Sequence, residues 1–390
     1  MSETKSIYNL QFGLLCLSSY LFFASFNMII PELPAYLESL GGGEYKGLII
    51  ALFTLTAGLS RPFSGKLADK IGRIPVMIFG AVVCFLVGFL YPLASSVFLF
   101  LLLRFFHGFS TGFKPTGTSA YVADVVSATR RGEAMGILGL CGSLGMASGP
   151  AVGSLVANHF SLEMMFYTSS AVAILSVIIL AGMKETLEDK QAFRLSFLKL
   201  QKHEIFEPRV IAPCIVLLLT AFSFGIVLTI TPDFSDSLGI QNRGLFYTFF
   251  TIASVAVRFF AGKASDKYGR IQVLRVSTSI LVVAMLMLGF ATSVEFFLFS
   301  AIVFGLATGM NTPTIFAWTI DLSHEKHRGR GMATMYIALE AGIGLGALFS
   351  GWIYANDPSR FVYAYGLGAL LAVFGLVYLL FSARNKMATA

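Results

Sequence analysis

The strongest constraint on this chain is a charged interruption that occurs twice in otherwise apolar sequence. The first copy runs Gly65, Lys66, Leu67, Ala68, Asp69, Lys70, Ile71, Gly72, Arg73, and the second runs Gly262, Lys263, Ala264, Ser265, Asp266, Lys267, Tyr268, Gly269, Arg270. The offset is 197 residues, and it also carries Arg61 onto Arg258, Gly108 onto Gly305, Gly112 onto Gly309, Asp124 onto Asp321, and Gly145 and Gly149 onto Gly342 and Gly346. One register therefore relates two halves of the chain.

Between these segments lie runs such as 76–91, 162–182, 211–229 and 273–290, which approach or reach the roughly 20 residues that cross about 30 Å of hydrocarbon as a helix. Only helices or closed barrels satisfy the backbone in that medium, and continuous apolar runs lack the alternation of a barrel strand. With 56% hydrophobic and 13% charged residues in 390, and a mean hydropathy of +0.77, the chain is too apolar for a soluble globular protein. The first apolar stretch, 7–31, is too long for a signal peptide and reads as the first membrane helix.

Charge clusters and turn residues place helices near 8–36, 46–66, 74–94, 98–123, 132–158 and 162–183, and again near 209–235, 243–263, 271–291, 295–321, 329–355 and 359–383. Of the 28 Lys and Arg, only Lys46, Arg243 and Arg360 fall at the end away from the charged repeats, and Arg61, Arg104, Lys114 and Arg258 lie within helices. The positive-inside rule then puts both termini and both repeats in the cytoplasm, so the net charge of +7 reports topology and not a nucleic-acid partner. Two copies facing one side require an even number of crossings per half. Six per half gives an N-terminal bundle over 1–184, a cytoplasmic linker over 185–208 and a C-terminal bundle over 209–390, related by a parallel repeat. In the linker, Phe193, Phe197, Leu198 and Leu200 among Arg194, Lys199 and Lys202 suit either a short interfacial helix or a solvated strand of chain.

The segment Gly65-x-Leu67-Ala68-Asp69-Lys70-x-Gly72-Arg73, present in two copies between long apolar segments, resembles the loop signature between helices 2 and 3 of the major facilitator superfamily. The resemblance implies an all-α membrane fold of about twelve transmembrane helices in two six-helix bundles. In such transporters the signature charges close the cytoplasmic side and break during alternating access. By that likeness the cytoplasmic gate comprises Gly65, Asp69, Arg73 and Asp124 with Gly262, Asp266, Arg270 and Asp321, the glycines allowing a tight turn and close helix approach. The alternative is that these charges only fix topology.

Helix 5 carries Gly145, Gly149, Pro150 and Gly153, similar to the helix-5 motif of antiporters in this superfamily. Small residues four apart also serve plain backbone packing, and Gly342 and Gly346 repeat them without the proline. Pro31-x-x-Pro34 after Asn27 is likewise similar to the drug and proton antiporter branch. Arg104-x-x-x-Gly108-x-x-x-Gly112 resembles the helix-4 motif whose arginine is tied to proton transfer.

Polar residues that break the repeat are the better candidates for solute and ion chemistry, because matched ones serve the scaffold. Arg104 maps onto Ala301, His107 onto Phe304, Lys114 onto Asn311, and Glu340 back onto Ser143. Arg104, His107, Thr111, Lys114 and Thr118 share one helix face, which is expected to meet a wet cavity or a carboxylate. Proton coupling is assigned to Glu340, Arg104 and His107, against a static salt bridge from Glu340 to Lys114 or Arg104 and a packing role for His107. A solute cavity is assigned to Asn27, Arg104, Thr111, Lys114, Asn311, Thr314, Trp318 and Glu340.

No nucleophile and base motif, phosphate loop or metal cluster is present, and His324, Glu325 and His327 read as a solvated charged loop. Cys16, Cys84, Cys141 and Cys214 stand singly in apolar segments as packing residues. The expected protein is not an enzyme and needs no cofactor beyond a proton gradient. Its partners are a small-molecule solute and the bilayer of an inner or plasma membrane, and it is expected to work as a monomer. Proton-coupled efflux of a small amphipathic solute is the leading reading. Proton-coupled uptake of an organic anion is the alternative, and a non-transporting receptor or scaffold is the alternative of another class.

Overall fold

Each apolar run forms a helix, since that is how a segment without polar partners satisfies its own backbone. The structure, a computed structural model, describes residues 9–126, 130–199, 206–323 and 328–387. Its long helices are α1 (Leu10–Met28), α2 (Lys46–Ile71), α3 (Arg73–Leu90), α4 (Val97–Val125), α5 (Arg131–His159), α6 (Leu162–Ala181), α7 (Ile211–Ser237), α8 (Leu245–Tyr268), α9 (Arg270–Gly289), α10 (Val294–Leu322), α11 (Arg328–Tyr354) and α12 (Phe361–Met387). With the bent helix α8 counted as one span, twelve of the described helices are long and apolar enough to cross a membrane. Large apolar side chains such as Phe98, Phe160 and Phe299 stand exposed, as a lipid-facing surface requires. The loop of His324, Glu325 and His327 and the linker residues Leu200 and Lys202 lie outside the described residues.

By internal contact the chain forms two compact units, Met1–Ile30 with Thr56–Gln201 and Pro31–Leu55 with Lys202–Ala390. Of the linker, residues 185–199 pack in the first unit and 206–208 in the second. Segment 31–55, in contrast, is held in the second by ion pairs and by backbone packing. Lys46 Nζ reaches Glu38 at 2.7 Å and Asp233 at 2.6 Å, and Arg243 bonds Glu32 at 2.5 Å and Asp236 at 2.7 Å. A Cβ on Gly47 would lie 2.7 Å from the Ala347 carbonyl oxygen, so only glycine permits this approach.

The two units repeat the same packing. In the first, α1 packs on α5 and α6, and α3 on α4 and α6; in the second, α7 packs on α11 and α12, and α9 on α10 and α12. Ser96 caps α4 by accepting from Leu99 N, and Ser293, one register on, caps α10 by accepting from Phe296 N, each at 3.3 Å. Gly112 faces Ser60 and the Ala57 carbonyl, while Gly309 faces Val257 and the Ser254 carbonyl, again in register. The interiors are apolar: Phe12, Phe22, Met77 and Tyr121 center one cluster, and Phe234, Phe246, Phe297 and Tyr365 another. All four cysteines are free, and Cys16, Cys84 and Cys214 are buried.

Candidate functional site

The charged signature is almost wholly helical. Helix α2 continues to Ile71 and α8 to Tyr268, and the breaks fall at Gly72, with φ of 120°, and Gly269, with φ of 88°. Gly65 and Gly262 therefore do not make the expected tight turn or close approach. Both sit inside helices, where an added Cβ would meet nothing within 4 Å. Leu, Ala and Lys in the first signature favour helix, and the positive φ at its end is what demands glycine.

Because the helix persists, Asp69 and Arg73 remain neighbours. Arg73 bonds Asp69 at 2.6 Å through Nη1 and Asp124 at 3.0 Å through Nε. Arg270 repeats this with Asp266 at 2.5 Å and Asp321 at 2.9 Å. Each triad closes within its own unit.

The first triad also engages Glu185, which sequence reasoning misses. Its two carboxylate oxygens accept from the N–H groups of Arg73 and Ile74, each at 3.0 Å, at the open N-terminus of α3. Thr186 Oγ1 donates to Asp124 at 2.7 Å, and a Cβ on Gly72 would lie 2.4 Å from Glu185. The signal in sequence is the first carboxylate past a membrane helix, soon followed by Glu188 and Asp189; its target appears only when the chain folds back.

Deeper in the first unit, α4 carries a buried polar column. Arg104 and His107 are each 1% exposed, and Arg104 Nη1 donates to the Tyr91 hydroxyl at 3.2 Å. That hydroxyl lies 3.1 Å from His107 Nδ1. Lys114, also 1% exposed, donates to Ser19 Oγ at 3.1 Å and lies over the Phe22 ring. Its backbone passes so close to α3 that a Cβ on Gly80 would lie 2.6 Å from Lys114 N.

The matching position in the second unit is Asn311. Its amide donates to Ser277 at 3.3 Å and Thr278 at 3.2 Å and accepts from Thr220 at 3.2 Å, joining α7, α9 and α10. Asn27, Thr111 and Thr314 each bond a carbonyl of their own helix. Trp318 lines a hollow of about 390 Å³ beside the second triad, with Arg270 and Asp321. Glu340 is buried in α11.

The glycines of α5 lie against α1. Cβ atoms on Gly145, Gly149 and Gly153 would lie 2.6, 2.4 and 2.0 Å from the carbonyl oxygens of Tyr20, Ala24 and Met28. Gly342 and Gly346 meet Leu218 and Phe222 in the same way on α7, so the spacing serves helix contact in both units and Pro150 is what sets α5 apart.

The sequence profile of the Major Facilitator Superfamily matches residues 15–247 and 214–389. The chain belongs to the Major Facilitator Superfamily. Superfamily members are transporters rather than enzymes, which sets aside the receptor or scaffold alternative, and the chain is an integral multi-pass membrane protein. It is 28% identical to Multidrug resistance protein 2 of Bacillus subtilis over 309 residues, 75% of this chain and 76% of the relative. It is 25% identical to the quinolone resistance protein NorA of Staphylococcus aureus over 395 residues, 97% of this chain and 98% of NorA. Among solved structures of the superfamily fold, the human organic anion transporter MFSD10 aligns with a TM-score of 0.72 at 18% identity, covering 95% of this chain and 98% of that one.

Proposed function

We propose that this superfamily transporter is a proton-coupled exporter of small amphipathic solutes in an inner or plasma membrane, with both termini and the signature charges cytoplasmic. The observation that carries this reading is the set Arg104, His107, Lys114 and Glu340. These are ionisable side chains buried in apolar helices, at positions where the other half has Ala301, Phe304, Asn311 and Ser143. An ionisable group at membrane depth is costly and is a candidate for ion or solute chemistry. Similarity to resistance proteins over most of the chain supports outward transport of drug-like solutes.

In the cycle we propose, Glu340 takes up and releases the proton as its surroundings alternate, with Arg104 and His107 setting the charge around the path. Lys114 meets the anionic part of a solute. The Asp69–Arg73–Asp124 and Asp266–Arg270–Asp321 triads stiffen the cytoplasmic ends, and the pairs of Lys46 and Arg243 must break for segment 31–55 to leave the second unit. Asn27, Thr111, Asn311 and Thr314 shape the wall, their polar atoms being engaged on neighbouring groups. The protein works as a monomer and needs no cofactor.

A second reading, uptake of an organic anion, is favoured by the two cations buried on one face of α4, Arg104 and Lys114, which outnumber Glu340 among the charged residues that break the repeat. Purified protein in liposomes under an imposed pH gradient distinguishes the two. Export predicts that cationic or neutral amphipathic dyes move against the proton flow, whereas uptake predicts that organic anions move with it. Proton movement stimulated by neither class would overturn both.

A further inference from the structure

The linker is the one described segment whose exposed side chains have no account in the transport cycle. Its stretch 185–199 is strapped to the first unit at both ends. Glu185 holds the N-terminus of α3, Gln191 N donates to the Lys70 carbonyl at 2.9 Å, and Lys66 Nζ donates to the Lys199 carbonyl at 2.8 Å. Between these ties Phe197 turns inward against Leu67, Ala68, Val76 and Phe113. Around the 3-10 turn over Leu195–Leu198, Leu195 is 77% and the preceding Phe193 54% exposed.

A strap fixed in this way shows apolar groups by construction, since the ties decide which side faces out. Two further observations say what covers them. The inward Phe197 sits at the end of a run of rings, Phe113, Phe109 and Phe106, that follows α4 to exposed aromatic surface of a membrane-crossing helix. Phe197 thereby ties the strap to a helix whose own aromatic side chains reach its exposed, lipid-facing surface. Residues 190–199 also carry Lys190, Arg194 and Lys199 with no carboxylate, beside Lys66 of the signature. Apolar groups that enter the acyl boundary, rimmed by cations, form a surface for anionic headgroups.

We propose that the strap over residues 190–199 is a binding surface for anionic phospholipid of the adjoining leaflet, with Phe193 and Leu195 in the acyl boundary and Lys190, Arg194 and Lys199 on the headgroups. The surface is specific to the first unit, because the ties run to Lys66, Lys70 and α3.

The test uses full-length Leu195→Cys carrying an environment-sensitive fluorophore, with the wild-type chain labelled in parallel as background. The protein is placed in nanodiscs of phosphatidylcholine with or without phosphatidylglycerol, and spin-labelled lipids serve as quenchers. The expected result is strong quenching that increases with phosphatidylglycerol, and loss of that increase in Lys190→Glu/Arg194→Glu. A label that stays aqueous in both compositions, or quenching equal in the two, would overturn the proposal. Phosphatidylglycerol retained by unlabelled wild type and the charge-reversed variant, read by native mass spectrometry, gives a check independent of the label. Equal retention by both would also overturn it.

Discussion

Helices α4 and α10 occupy equivalent places in the two units and are built on opposite chemistry. Both start from a serine cap and meet a neighbouring helix through glycine, at Gly112 and Gly309. Yet α4 buries Arg104 and His107 on Tyr91, whereas the register puts Ala301, Phe304 and Leu288 in an apolar cluster beside α10. Lys114 has one hydroxyl partner and an aromatic ring, while Asn311 is bonded on three sides. Even the surroundings change to suit: the residues matching Ser277, Thr278 and Thr220 are Gly80, Ala81 and Phe23. The scaffold was kept through the repeat and the interior was not, so ionic function is expected to follow the mismatches.

The largest expected effect is that of Arg104→Ala. It removes the guanidinium donor from the buried Tyr91 hydroxyl, and a hydrogen bond to a charged group contributes roughly 1.5–3 kcal/mol. Gradient-driven transport should fall to background and the melting temperature should drop, while Ala301→Ser, at the equivalent site, should leave transport near wild type. Equal losses in the two variants, measured as flux per folded molecule, would break the comparison. Next comes Asn311→Leu, which removes the amide bonded to three buried hydroxyls, of which Ser277 and Thr220 keep carbonyl acceptors on their own helices, and should lower the melting temperature, again by roughly 1–3 kcal/mol of stability. Transport per folded molecule should persist. A raised KM at unchanged stability would return Asn311 to the solute path.

The triads are the matched part of the repeat, and here effects should be smaller and shared. Asp69→Asn removes one of two carboxylates from Arg73, leaving Asp124. We expect lower flux and a shift in cysteine accessibility toward the state open on the signature side, with Asp266→Asn acting in the same direction. Unchanged labelling with normal flux would leave these charges as topology residues. The smallest effect concerns Glu207, where the hydrogen bond from the Arg330 guanidinium holds the carboxyl below its ordinary range. Its folded value is depressed, so its stabilisation is present above the unfolded carboxylate range and is lost as pH falls through the folded value. Hydrogen bonds to charged groups contribute roughly 1.5–3 kcal/mol, so Glu207→Gln should flatten the acid limb of a melting-temperature profile by no more than that. An unchanged limb would assign it to other carboxylates.

Much of this frame is legible in the sequence, because the repeat and the apolar runs are local and periodic. The spans, the triads Asp69–Arg73–Asp124 and Asp266–Arg270–Asp321, and the mismatched polar residues all follow from one register. What escapes it is tertiary. Nothing local marks that Gly65 is an ordinary helical residue while Gly72 carries the positive φ, since both are glycines at the edge of charge. Glu185 acts on a helix end more than a hundred residues earlier in the chain, and the bonds of Lys46 to Asp233 and Arg243 to Glu32 join segments equally remote. Pattern reads what each helix is, and packing decides where its ends are held.

In the proposed cycle a buried group lacking a counterpart in the other half couples solute movement to protons, and replacing Glu340 separates coupling from packing. A carboxylate that must alternate between protonated and ionised forms cannot be replaced by an amide, while one that only packs can. The measurement is proton-driven solute accumulation in liposomes by Glu340→Gln beside wild type, with exchange at equal pH as the control for folding and binding. Accumulation is expected to be lost and exchange to survive. Undiminished accumulation by the Gln variant would contradict the coupling role.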